Sequence, residues 1–96
     1  MKLSRDLSDP DARPYFLWSE PTTVGEFRDK LAQADGEEWA RLVGTLMREA
    51  RDPDVWKFVT PQMVWERFEK IDRYLGRRRP FWHYLMSAWH DDGFVA

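Results

Sequence analysis

The sequence predicts an all-α fold, a compact bundle of four main helices plus one short helix, led by an extended N-terminal arm. Three observations predict it. Apolar residues recur at i, i+3, i+4 and i+7 through most of the chain, the spacing of one helix face. Between those stretches stand helix starts (Thr23, Thr60-Pro61, Asp52-Pro53) and glycine stops (Gly36, Gly76, Gly93). No segment shows period-two alternation bounded by hairpin turns.

The chain has 96 residues, enough for one small core. The division expected is a flexible lead-in over 1–13 and a single helical domain over 14–96. Apolar residues make up 43% and aromatic residues 16%, and large rings bury much area per residue. Mean hydropathy is −0.71 and no apolar run approaches the ~18 residues of a membrane span, so no membrane partner is expected. The first residues hold no signal-peptide core, and a cytoplasmic protein is expected. The absence of cysteine excludes a disulfide framework and thiolate chemistry.

Met1 to Arg13 is polar and carries Asp6, Asp9, Pro10 and Asp11. Pro14-Tyr15-Phe16-Leu17-Trp18 then places four large apolar residues after a proline, and Pro21 stops them. Neighbours of proline favour extended geometry, so an extended arm is expected, its rings lying on the helical body. Thr23 and Glu26 have the capping-box spacing for a first helix with Val24, Phe27 and Leu31 inward, ended by Asp35-Gly36. Asp35 and Glu38 repeat that spacing for a second helix, about 37–50. Trp39, Leu42, Val43, Leu46, Met47 and Ala50 form its stripe. Gly44 lies inside this helix at a cost of roughly 1 kcal/mol, which a close helix crossing explains.

Asp52 as N-cap and Pro53 at the first helical position start a short helix to about Phe58. Thr60-Pro61 starts a helix to about Leu75, with Val64, Phe68, Ile71 and Leu75 inward and Gly76 as C-cap. A basic turn, Arg77-Arg78-Arg79, follows. Pro80 begins the last helix, with Phe81, Trp82, Leu85, Met86 and Trp89 inward and Gly93 at its end.

The net charge is −2, which excludes a strongly basic nucleic-acid binder. The charge is uneven, however: residues 61–80 hold six basic and three acidic side chains. A local basic patch in an acidic molecule suits a local acidic partner surface. Within Arg77, Arg78 and Arg79, cations past a helix C-terminus complement its dipole, and one or two pair with nearby carboxylates. At least one guanidinium is expected to serve a partner's carboxylates or phosphates. Trp18, Trp65 and Tyr84 are the other candidates for a partner-binding hot spot, since Trp65 stands beside the Val64 stripe rather than in it.

Other chemistry finds little support. His83 and His90 are about 10 Å apart along one helix face, too far to share a metal ion, and are expected to be solvated. Ser87 has no base oriented by a third group. Glu37, Glu38, Asp52 and Asp54 fall at helix starts, where capping explains them. No glycine-rich phosphate loop, HExxH or CxxC is present. No catalytic residue, metal or cofactor is assigned, and the chain is read as a non-enzyme.

Several segments together resemble a family of small bacterial helical proteins. They are Pro14-Tyr15-Phe16-Leu17-Trp18 with Pro21 and Thr23-Val24, Arg48-Glu49-Ala50-Arg51, Asp54-Val55-Trp56 with Phe58, Thr60-Pro61, and Leu75-Gly76-Arg77-Arg78-Arg79 with Phe81-Trp82. The resemblance covers most of 14–90. Such proteins are often encoded beside nucleotidyltransferase-like toxins of the abortive-infection class. It therefore implies a protein-binding module, the antitoxin-like partner of such a toxin. The alternatives are a nucleic-acid-binding helical domain, using the helix that ends in arginines, and a structural homo-oligomeric subunit with Trp18 or Trp65 at its interface.

Overall fold

Thr23 starts the helical body as its spacing predicts. Its hydroxyl accepts from the Glu26 N–H at 3.2 Å, and the Glu26 carboxylate accepts from the Thr23 N–H at 2.9 Å. Two further N–H groups of this first turn, Val24 and Gly25, donate to the carbonyls of Ala12 and Pro10. The lead-in thus satisfies donors that a helix N-terminus leaves open. The computed structural model describes residues 2–96; Met1 of the expected lead-in lies outside the described residues. The described part of the lead-in is built into the fold. Leu3–Ser4 (β1) pairs in parallel with Arg13–Pro14 (β2), and Leu7 is buried.

The chain continues through helices α1 (Val24–Gln33), α2 (Gly36–Glu49), α3 (Asp52–Val55), α4 (Pro61–Glu66), α5 (Phe68–Ile71) and α6 (Arg79–Asp91). The all-α reading holds, with two-residue strands as the sole exception among the described residues. No helix among them is long and apolar enough to cross a membrane.

Helix α2 is the central element. Its Leu42, Val43, Leu46 and Met47 are buried, and α1, α3, α5 and both later 3-10 turns pack on it. Gly44 explains itself here. A Cβ at this position would lie 2.2 Å from the Tyr74 Cβ, so the glycine permits the close crossing that the sequence suggested. Gly44→Ala is expected to destabilise the protein despite the helix-propensity gain of about 1 kcal/mol. Overpacking costs about 1–3 kcal/mol, and the clashing atom is fixed to its backbone. Urea unfolding checks this; a midpoint equal to or above wild type would contradict the crossing.

Several local expectations need correction. The arm is not extended throughout: Tyr15–Leu17 winds into a 3-10 turn that buries Phe16 and Leu17. The winding brings Phe16, Phe27 and Phe58 into mutual edge-to-face contact at 5.4–5.5 Å. The second capping box does not form. Asp35 stands at the N-cap of α2, but its side chain makes no cap hydrogen bond, and the next residue, Gly36, has φ +51, outside helical geometry. Glu38 instead holds Arg41 in a bidentate pair. Asp52 is not a cap either, because its carboxylate binds Arg78.

The predicted helix over 61–75 is broken. Thr60 caps its start as expected, accepting from the Met63 N–H at 3.1 Å. At Arg67, with φ −122 and ψ 17, the backbone leaves helical geometry. The guanidinium of Arg67 lies 4.9 Å over the Trp39 ring of α2. Beyond the break, α5 and the 3-10 turn Asp72–Tyr74 lie along α2, with Ile71 and Leu75 buried. The basic turn is also helical, as the 3-10 turn Gly76–Arg78 runs into α6, with Gly76 left-handed at φ +57.

The end of α6 agrees with the sequence. Gly93 has φ +78, its N–H reaches the His90 carbonyl, and the Phe94 N–H reaches the Trp89 carbonyl at 2.8 Å. The rings of Trp89 and Phe94 meet at 5.1 Å, the apolar contact that accompanies this helix stop.

A candidate protein-docking surface on the last helix

The three arginines divide their work. Arg78 turns inward. It donates to the carbonyls of Met47 and Ala50 at 3.2 and 2.9 Å, binds the Asp52 carboxylate, and lies over the rings of Phe81 and Trp82. It therefore closes the C-terminal end of α2, where carbonyls lack helical partners and a cation meets the negative dipole. Arg79 is held bidentately by Asp72 at 2.7 and 2.8 Å. Arg77 is exposed and makes no hydrogen bond or ion pair among the described residues.

Arg77 leads into an exposed aromatic face. Trp82 and Met86 turn into the core, fully buried. At about 100° per residue, Phe81, Tyr84 and Ala88 fall on the flank away from them. Phe81 is 39% exposed and Tyr84 74% exposed. The expectation that Phe81 faces inward is thus corrected: Trp82 takes the core position, and its neighbour lies a quarter-turn around the helix. The periodicity held this signal, since Phe81 is three residues from Tyr84, the spacing of one face.

The other candidates sit elsewhere. Trp18 is 64% exposed on the turn after Tyr15–Leu17, beside α2 and not on α6. Arg13 secures that turn by donating to the carbonyls of Trp18 and Glu20. Trp65 is half-buried, stacked on His90 with centroids 4.5 Å apart and planes 18° from parallel. Arg77 and Tyr84 share the α6 region; Trp18 and Trp65 belong to two other surfaces.

The histidines are not simply solvated. His83 Nε2 is 2.5 Å from Asp72 Oδ1, and its ring meets Phe68 edge-on at 5.0 Å. Asp72 therefore ties α6 to the segment before it through both Arg79 and His83. The Arg79 hydrogen bonds, followed by the His83 contact, bring the Asp72 carboxyl down to about 2. A carboxyl lowered on folding adds stability above its unfolded value and loses it as pH falls. Wild type is thus expected to exceed Asp72→Asn in stability at pH 5, with the gap closing as pH falls from about 4 towards 2. Denaturant midpoints of both proteins over that range test this. A gap independent of pH would show that the carboxylate's charge is not the source.

A second carboxylate, Asp54, is buried. It accepts from the Tyr15 hydroxyl at 2.5 Å and pairs with Lys57 and Arg51 at 3.0 and 3.3 Å. Burial pushes its carboxyl up, but the bonds from Tyr15, Lys57 and Arg51 outweigh this and leave it lowered. The Tyr15 hydroxyl in turn accepts from the Arg51 N–H at 2.8 Å. This network ties the N-terminal turn to the α2–α3 corner. Among the described residues, no group of three or more His, Cys, Asp or Glu is placed to hold a metal ion.

The geometry offers a rigid helix face with exposed rings and a cation at its head. No family model, curated protein or solved structure matches the chain.

Proposed function

We propose that this chain is a non-enzymatic protein-docking module, the antitoxin-like partner of a nucleotidyltransferase toxin, and that the outer face of α6 is its docking surface. The observation that carries the reading is Arg77, an exposed guanidinium with no hydrogen bond or ion pair among the described residues, in the turn that leads into α6, where Phe81 and Tyr84 are exposed. Exposed Tyr and Arg on a rigid helix are the residues that dominate binding energy at protein interfaces. The partner surface complementary to Arg77 is acidic, such as the carboxylates that hold metal in a nucleotidyl-transfer site. The chain's own polar groups have other employment: Thr23 and Thr60 cap helices, while Asp52, Asp54 and Asp72 are paired.

The nucleic-acid alternative has less behind it. Three of the six cations in 61–80 are paired, Arg73 with Glu37, Arg78 with Asp52 and Arg79 with Asp72. The helix that was to enter a groove is broken at Arg67.

The test is capture of the native partner with tagged chain, followed by titration of Arg77→Glu combined with Tyr84→Ala. The double variant is expected to bind at least about 30-fold more weakly, as loss of a hot spot does, with an unchanged helical circular dichroism spectrum. Full affinity would remove this face from the account. Capture of a partner without nucleotidyltransferase character would remove the toxin. Self-association in sedimentation that Tyr84→Ala abolishes would favour the homo-oligomer.

A further inference from the structure

The cavity between the Trp18 turn and α2 has a composition that the docking reading does not use. It encloses about 220 Å³, below the roughly 300–1,000 Å³ of pockets for drug-sized molecules. Its base is apolar, formed by Phe16 and Leu42. Its lining also carries charges of both signs, Arg41, Arg48, Glu20 and Glu49, of which Arg48 and Glu49 are paired with each other at 3.4 Å. Arg41, Thr45 and Arg48 share one face of α2 at i, i+4 and i+7.

The guanidiniums keep donors in reserve. Arg41 spends its Nε and one terminal nitrogen on Glu38, and Arg48 spends its Nε on Glu49 and one terminal nitrogen on the Tyr74 carbonyl. A guanidinium has five N–H donors, so each retains at least one NH₂ group for a ligand. Glu20 accepts from the Thr22 hydroxyl at 3.1 Å and keeps capacity for a cation. A simple anion gains from the arginines and loses to the glutamates; a simple cation does the reverse. A small zwitterion gains from both.

The geometry points to a binding site for a free α-amino acid with an apolar side chain. Its carboxylate meets Arg41 and Arg48, its ammonium meets Glu20, and its side chain rests on Phe16 and Leu42 against the Trp18 indole. The site stands apart from the α6 face, so its failure leaves the docking reading untouched.

The test is a titration of the full chain with L-leucine, followed by the Trp18 indole N–H resonance, which Trp18→Phe assigns. A saturable shift with a Kd of about millimolar is expected for so small a ligand. N-acetyl-L-leucine, lacking the ammonium, and L-leucinamide, lacking the carboxylate, are each expected to bind about tenfold more weakly or worse. Arg41→Gln is expected to weaken leucine and N-acetyl-leucine while sparing leucinamide; Glu20→Gln is expected to do the converse. Both side chains are on exposed residues, so the fold is retained. No saturation by about 50 mM leucine would overturn the proposal. Equal binding of the three ligands, or preference for either derivative, would do so too.

Discussion

Trp82→Ala is expected to destabilise the protein by about 3–5 kcal/mol, the range for deleting a large buried ring. Trp82 is fully buried, and Trp56 meets it edge-on at 5.8 Å. Its indole N–H also donates to the Met47 carbonyl at 2.9 Å. That carbonyl keeps the Arg78 donor in the variant, so the loss comes chiefly from the cavity and not from an orphaned acceptor. Domains of this size have about 5–15 kcal/mol in total, so the variant keeps only a thin margin at room temperature. Trp82→Phe refills part of the space and is expected to lose distinctly less. Guanidinium unfolding of the three proteins measures the order. A Trp82→Ala variant within about 1 kcal/mol of wild type would mean that α6 is not anchored through this ring.

Asp54→Ala is expected to cost about 3 kcal/mol, the low end for removing one partner of a buried ion pair. The low end applies because Arg51 and Lys57 are more than half exposed and regain water when the carboxylate is gone. The Tyr15 hydroxyl loses its acceptor at the same time, and with it the tie from the N-terminal turn to the α2–α3 corner. Asp54→Asn keeps an acceptor for Tyr15 and is expected to fall between wild type and Asp54→Ala. Tyr15→Phe combined with Asp54→Ala should lose less than the sum of the two single changes, because the pair shares one network. Strict additivity would show that the two side chains do not act together.

The local signals in the sequence were those whose chemistry is complete within a few residues. The Thr23–Glu26 box, the Thr60 cap and the glycine stop at Gly93 each involve bonds spanning one or two turns. Gly44 announced a close crossing because a glycine inside a good helix costs stability unless space demands it. The failures share a different cause. Asp35 and Asp52 carry the right residue type for caps, but Asp35, followed by the left-handed Gly36, makes no side-chain cap bond, and Arg78 captures the carboxylate of Asp52. The segment 61–75 has unbroken helical spacing, yet its backbone leaves helical geometry at Arg67, whose guanidinium lies over the Trp39 ring of α2, a contact far away in sequence.

The candidate site divides in the same way. Composition and spacing located the basic segment and the exposed Trp18 and Tyr84, but placed Phe81 inward and took half-buried Trp65 for a surface ring. They did not assign the arginines, because identical neighbours differ only in what lies opposite them. Arg78 faces the open carbonyls of α2, Arg79 faces Asp72, and Arg77 faces solvent.

By itself the sequence determined a helical domain, since repeated apolar spacing and local caps select helix wherever they occur. The tertiary structure decided how the helices bend, which carboxylates are spent on ion pairs, and which arginine of the basic turn makes no ion pair among the described residues. Several of those outcomes depend on partners far away along the chain, 26 residues for Arg78 with Asp52 and 39 for Tyr15 with Asp54. Only the closed fold brings such groups within the few ångströms over which hydrogen bonds and charge pairs act.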